Sequence, residues 1–136
     1  MLSDEALSDL MANAAVIASV GVLSNPATRG YSVAAYQQSQ GYKVLPVNTD
    51  KDLVLGHVTV PSVADIEEPV DIVNVVAHPH EAPAVTEAAI AAGAKAIWFE
   101  PGTQNHLAEQ RAREAGLQVV TNRSFEREHR RLLSRH

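Results

Sequence analysis

The chain has 136 residues, 46% hydrophobic and 20% charged, with 11 Lys and Arg against 16 Asp and Glu for a formal net charge of −5. That length fits one domain over residues 1–136 with one ligand site, the acidic balance argues against a nucleic-acid surface, and no apolar run approaches the ~20 residues that span a bilayer. With no cysteine, disulfides, thiolate nucleophiles and Cys-based metal sites are excluded, and the acidic start Met1-Leu2-Ser3-Asp4-Glu5 lacks the basic n-region of a signal peptide, so a cytoplasmic location is expected.

Leu7, Leu10 and Met11 recur at helical spacing behind Ser3, a capping residue, and predict a short leading helix over residues 4–12. Residues 15–22 form an apolar run that reads as a buried strand, which breaks at Gly21 into a polar loop carrying one cation, Arg29. A strand, a glycine turn and a helix start together offer backbone N–H groups and a helix dipole to a phosphate. The helix runs to Gln40 and stops at Gly41. Lys43-Val44-Leu45-Pro46-Val47 is the second strand, and Pro46, which has no N–H to donate, favours an edge. Gly56, Pro61 and Ser62 punctuate a connection with at most one helical turn near residues 63–66.

Ile72-Val73-Asn74-Val75-Val76 is the third strand, ended by His78-Pro79-His80. A helix over residues 81–92 places Ala82, Val85, Ala88, Ala89 and Ala92 on one stripe before Gly93. Ala96-Ile97-Trp98-Phe99 is the fourth strand, a helix over residues 105–115 ends at Gly116, and residues 117–121 are the fifth strand. A basic helix over residues 124–133 closes the chain. From Arg111 onward there are seven Arg against three Glu, a bias that either forms a solvated face or meets acidic surface on the same fold, a second copy or an acidic protein partner.

Strands separated by helices of about ten residues imply parallel crossovers, so the fold is α/β: a doubly wound, mainly parallel five-stranded sheet with helices on both faces. Ligands of such sheets bind beyond the strand C-terminal ends, here the turns at Gly21, Asn48, His78 and Glu100. The first turn lacks Gly-x-Gly-x-x-Gly, and Asn48 stands where an NAD-binding chain usually places an acid, so NAD or another nucleotide is the secondary reading; no P-loop is present. Arg29 and Lys51 are the single cations of the first two loops and either embrace phosphates or are ordinary surface charges. His78, His80 and Glu81 could touch a metal but lack an indicated further ligand, and Ser24 and Ser124 have no spacing that marks a partnered nucleophile.

Taken in order, Val20-Gly21-Val22-Leu23-Ser24-Asn25-Pro26, Gly41-Tyr42-Lys43-Val44-Leu45-Pro46-Val47-Asn48, Leu55-Gly56, Pro61-Ser62, Val70-Asp71-Ile72-Val73, Gly93-Ala94-Lys95-Ala96-Ile97-Trp98 and Ala115-Gly116-Leu117 resemble the small stand-alone CoA-binding proteins. These are similar in turn to the Rossmann-type N-terminal domain of the succinyl-CoA synthetase alpha subunit. The resemblance implies coenzyme A or an acyl-CoA as ligand. Gly21, Val22, Leu23, Ser24, Asn25 and Arg29 would hold its phosphates, Asn48 and Lys51 would lie near the adenosine and its 3′-phosphate, Val76, Ala77, His78 and Pro79 would line the adenine or pantetheine side, and Phe99, Glu100 and Pro101 would face the pantetheine arm. Within that family this chain departs by one place at Ser24 and Arg29, has Val76-Ala77 for a common Phe-Arg, Glu100 for Gln and Ser124 for Cys. The reading is a CoA-binding module without evident catalytic machinery; the rival reading makes His78 or Glu100 an acid or base acting on an acyl-CoA.

Overall fold

The computed structural model describes residues 2–133, and Arg135 of the basic tail lies outside them. Helix α1 (Asp4–Asn13) is capped by the Ser3 hydroxyl, which accepts from Ala6 N–H. Five strands form the main sheet: β1 (Val16–Val20), β2 (Lys43–Val47), β5 (Ile72–Val75), β6 (Ala96–Phe99) and β7 (Gln118–Thr121). Helices α2 (Arg29–Ser39), α3 (Ala82–Ala91), α4 (His106–Glu114) and α5 (Phe125–Leu132) connect or follow them. The strands are parallel throughout, in the order β2-β1-β5-β6-β7. This is a Rossmann-like doubly wound sheet, as the alternation of strand and helix signals requires.

The strands are apolar on both sides because both sides are covered. Ile17, Val44, Ile72, Trp98 and Val120 pack under α1, α2 and α5, whereas Val20, Val47, Val75, Ile97, Phe99 and Val119 pack under α3 and α4. Trp98 and Phe125 are fully buried, with ring centroids 4.9 Å apart. Each contributes about 2–3 kcal/mol through apolar burial. The Trp98 indole N–H donates to Arg123 O at 2.7 Å, so its one polar atom is satisfied where the chain enters α5.

Pro46 stands on the edge strand, as its missing donor favours. Its carbonyl accepts from Val60 N–H on the outer side, and Asn48 N–H donates to Val60 O. Residues of a strand aim N–H and C=O of one position to the same side, so the N–H that proline lacks would have pointed away from β1. The connection beyond it is not all loop but holds a hairpin of β3 (Leu53–Val54) and β4 (His57–Val58). Its two-residue turn takes Leu55 and Gly56 to φ 51° and 85°, the left-handed pair that suits a tight hairpin. A single 3-10 turn at Val63–Asp65 follows.

At the opposite end of the sheet, Asp71 accepts from Ala15 N–H at 2.8 Å and Val16 N–H at 3.0 Å and pairs with Lys95 at 3.1 Å. Against the desolvation that raises it, those two N–H bonds and the ammonium hold its carboxyl below the ordinary value. The basic segment is largely neutralised within the chain. Arg111 pairs with Glu87, Arg130 with Glu126 and the Tyr36 ring, and Arg131 with Asp4 and Glu128. Among the described residues no helix is long and apolar enough to cross a membrane.

Candidate functional site

Strand order reverses between β1 and β5, because the chain leaves β1 toward β2 on one side and returns to β5 on the other. The loops after these two strands therefore diverge and leave a crevice at their C-terminal ends. A cavity of about 950 Å³ occupies it, a size typical of small-molecule sites.

Two glycines bring the walls together. Gly21 has φ 91°, and a Cβ there would stand 3.1 Å from Ala77 N and 3.2 Å from the Val76 carbonyl carbon. Gly30, in the first turn of α2, would bring a Cβ to 3.0 Å from Val76 Cγ2 and 3.3 Å from Gly21 O. The start of α2 thus lies directly against the ends of β1 and β5. Its N-cap, Thr28, makes no side-chain bond to the first turn; the Thr28 hydroxyl instead donates to Asn25 O at 2.7 Å. The positive end of α2 therefore keeps its free donors at the crevice.

The rest of the loop is shaped by its own polar groups. Asn25 Oδ1 accepts from Ala27 N–H at 2.9 Å, and Ser24 N–H donates to Asp52 Oδ2 at 3.1 Å. The Ser24 hydroxyl, then Leu53 N–H, hold the Asp52 carboxyl below its ordinary value. Asn48 ties the loop from the other side, donating from Nδ2 to Val22 O at 3.0 Å while its Oδ1 accepts from Asp50 N–H at 3.0 Å. Arg29 reaches from the α2 start to the β6 loop, where its Nη1 donates to Pro101 O.

On the β5 side a 3-10 turn at Pro79–Glu81 leads into α3, and the His78 and His80 rings stack with centroids 5.5 Å apart. Asn105 Nδ2 fastens this turn by donating to Pro79 O at 3.0 Å. Glu81, at the N-terminus of α3, offsets the positive end of that helix, so the α2 start with Arg29 is the anion-favouring end of the crevice.

Eight of the sequence-derived candidates line the cavity together: Gly21, Leu23, Arg29, Asn48, Val76, Ala77, His78 and Pro79. Seven stand elsewhere. Val22 is fully buried under α1, α2 and α5. Ser24 and Asn25 are exposed and serve the loop's own bonds, and Lys51 is exposed outside the cavity lining. Pro101 supplies only its carbonyl, to Arg29. Phe99 and Glu100 correct the expectation of side chains facing a ligand arm. Successive strand residues alternate between faces, so Phe99 points into the core under α3 and α4. Glu100, 1% exposed, turns to the other face, where Oε2 accepts from Asn74 Nδ2 and from Phe125 N–H, each at 3.0 Å.

Burial pushes the Glu100 carboxyl up, against the Asn74 and Phe125 bonds and the Arg29 charge. A folded-state value above the ordinary 4.5 means that the unfolded chain binds fewer protons through that window, so this group's contribution falls as pH rises from 4.5. Glu100→Gln keeps an oxygen for both donors and removes the charge. Urea denaturation is expected to find the variant at least as stable as the parent at pH 7, with the difference shrinking toward pH 4.

The sequence reading missed the floor of the cavity: Pro61, Ser62 and Val63 on one side, Ala84, Val85 and Ala88 of α3 on the other, and Gly102 and Thr103 at its end. The signal was present in the α3 stripe, which is wider than the core uses. Ala82, Thr86 and Ala89 are buried whereas Val85 and Ala88 are only partly covered. Among the described residues no group of three or more His, Asp or Glu is assembled to hold a metal.

A doubly wound sheet with a glycine-closed crevice at its switch point defines the class of α/β modules that take a nucleotide-like ligand there. The chain belongs to the CoA binding domain family, whose model matches residues 15–130. It is 35% identical over 104 residues to the uncharacterized protein YneT of Bacillus subtilis (strain 168), covering 76% of this chain and 77% of that one. A hypothetical protein from Pyrococcus horikoshii OT3 superposes with a TM-score of 0.95 at 38% identity, over 98% of this chain and 94% of that one. The fold also recurs in the dinucleotide forming acetyl-coenzyme A synthetase 1 of Ca. Korarchaeum cryptofilum, with a TM-score of 0.69 at 23% identity over 79% of this chain and 26% of that larger one.

Proposed function

We propose that the crevice binds coenzyme A or an acyl-CoA, with the diphosphate at the α2 start beside Arg29 and the adenine in the apolar slot between Val63 and Val85. The observation that carries this reading is the Gly21–Gly30 contact, which sets an uncapped helix N-terminus at the switch point, with the Arg29 side chain reaching from it along the cavity to Pro101 O. The slot offers apolar faces to a base, and the α3 wall continues it with Ala84 and Ala88. Family membership supports CoA over other nucleotides. The proposed role is binding; of the two groups the rival reading names, the Glu100 carboxylate faces inward, away from the cavity lining, and the His78 ring lines the cavity stacked on His80.

Calorimetry with CoA, acetyl-CoA, NAD and ATP tests the reading. Heat from the two CoA ligands is expected; binding of NAD but not CoA would overturn it. Arg29→Ala removes a charge-assisted bond worth about 1.5–3 kcal/mol, so CoA affinity is expected to fall by roughly 10- to 150-fold. Arg29→Lys should recover part of that loss, because a point charge replaces a fork.

A further inference from the structure

We propose that His78 and His80 form the proton-dependent half of the anion site in the crevice, an imidazole pair that becomes charged against the ligand's diphosphate as the ligand binds. The inference rests on the CoA reading above and adds to it a dependence on pH.

The loop after β5 places the pair. A Cβ on Gly21 would stand 3.1 Å from Ala77 N, so the loops after β1 and β5 touch one residue before His78, and the α2 start and the imidazoles border the same crevice. Both histidines line the cavity, and their rings stack with centroids 5.5 Å apart and planes at 21°. Among the described residues no hydrogen bond holds either ring; His80 Nε2 comes only to 3.9 Å from Glu81 Oε1, too far for one. The ring nitrogens are thus left to a ligand.

Of the side chains that line the cavity, those able to carry charge are Arg29, His78, His80 and Glu81. Arg29 and Glu81 cancel, and the guanidinium is drawn to Pro101 O on the loop after β6, two strand steps from β1, about 10 Å. With neutral imidazoles this lining has no net charge, whereas the diphosphate brings two negative charges. The imidazoles supply the difference, because an anion within ~4–6 Å favours the protonated ring, and protonation turns both ring nitrogens into donors. Neighbouring elements do not compete for that proton. Asn105, which fastens the turn at Pro79 O, is neutral, and Glu109 of α4 accepts from Asn105 N–H. Glu87 of α3 is held by Arg111, and Glu100 is turned to Asn74 and Phe125. His57 and His106 lie outside the lining. The Lys51 ammonium, at the β2 end, remains for the ligand's third phosphate. A ring that holds its proton more tightly in the complex makes binding stronger as pH falls through the imidazole range, near roughly 6.5.

Calorimetry of the full chain with CoA at pH 5.5, 7 and 8, in two buffers of unlike protonation heat, counts the protons taken up, and a His78→Gln/His80→Gln double variant is the reference. Both positions are exposed, so the variant keeps the fold. At pH 7 the parent is expected to take up about half a proton per ligand more than the variant, and from pH 8 to pH 5.5 its affinity should rise about tenfold more. At pH 8 the two should bind within about twofold of each other. Binding of CoA with the same proton count and the same pH profile in both proteins would overturn the inference and leave the CoA reading standing. No heat with CoA from the parent at any of these pH values, with NAD binding, would sink the CoA reading and this inference with it.

Discussion

Gly21→Val is expected to abolish ligand binding, by more than about 100-fold, and to lower stability by roughly 3 kcal/mol. Two causes add. Residue 21 holds φ 91°, a conformation that costs a non-glycine residue about 1–3 kcal/mol and a β-branched one most. The new Cβ would also stand 3.1 Å from Ala77 N and 3.2 Å from the Val76 carbonyl carbon. Both are backbone atoms, with no side chain to rotate away, so the β1 and β5 loops must part. The Val76 N–H bond to Val20 O at 2.9 Å lies at the point of opening. Gly30→Ala is the control. Its Cβ would meet Val76 Cγ2 at 3.0 Å, and the backbone only at the longer distances of 3.3 Å to Gly21 O and 3.4 Å to Val22 Cα, a milder crowding that the roughly 1 kcal/mol alanine gains over glycine within a helix offsets. Its stability should stay near that of the parent while ligand affinity falls only modestly. Urea denaturation and calorimetry with CoA measure both variants, and a Gly21→Val protein that still bound CoA at parental affinity would remove the crevice from the proposed site.

Much of this architecture could be read from local chemistry because its signals are short-range. Pro46 lacks a donor and so stands on an edge; Ser3, Asn105 and Ser124 are capping residues and each accepts from a helix's first-turn N–H. The β3–β4 hairpin escaped notice because its turn puts Leu55, an unusual residue for positive φ, where Asn or Gly would have announced it. The hairpin matters to the site through Asp52, which bonds the loop after β1 across 28 positions of sequence. No spacing rule exposes such a bond. Glu100 illustrates the opposite error: a polar residue just past a strand reads as solvent- or ligand-facing, yet here it faces a helix N-terminus that supplies a donor. The α3 stripe shows why half of the cavity was hidden. Apolar periodicity reports which residues avoid water, and a ligand slot and a core both satisfy it.

Phe125→Ala should cost about 3–5 kcal/mol, yet leave the crevice able to bind. Phe125 is fully buried, with its ring 4.9 Å from Trp98, edge-on to Tyr42 at 5.6 Å and stacked on His129 at 5.9 Å. It is the anchor of α5, which has eight residues. A helix that short does not persist on propensity alone and must be held by packing. Without the ring, Trp98 borders a void, and the Tyr36 hydroxyl contact with His129 Nδ1 at 2.7 Å loses the support that keeps that imidazole buried. Burial, then the Arg130 charge, pushes His129 below its usual range; loosening α5 would relax that shift. The crevice stands apart from this damage, because its walls are the β1 and β5 loops and α3, and no α5 residue lines it. The expected pattern is therefore a large drop in urea midpoint with CoA affinity, measured well below unfolding, within about threefold of the parent. Phe125→Leu should recover roughly half of the lost stability by refilling part of the void. Equal losses of affinity and stability in Phe125→Ala would instead show that α5 holds the loop after β1 in place through α2, against which it packs.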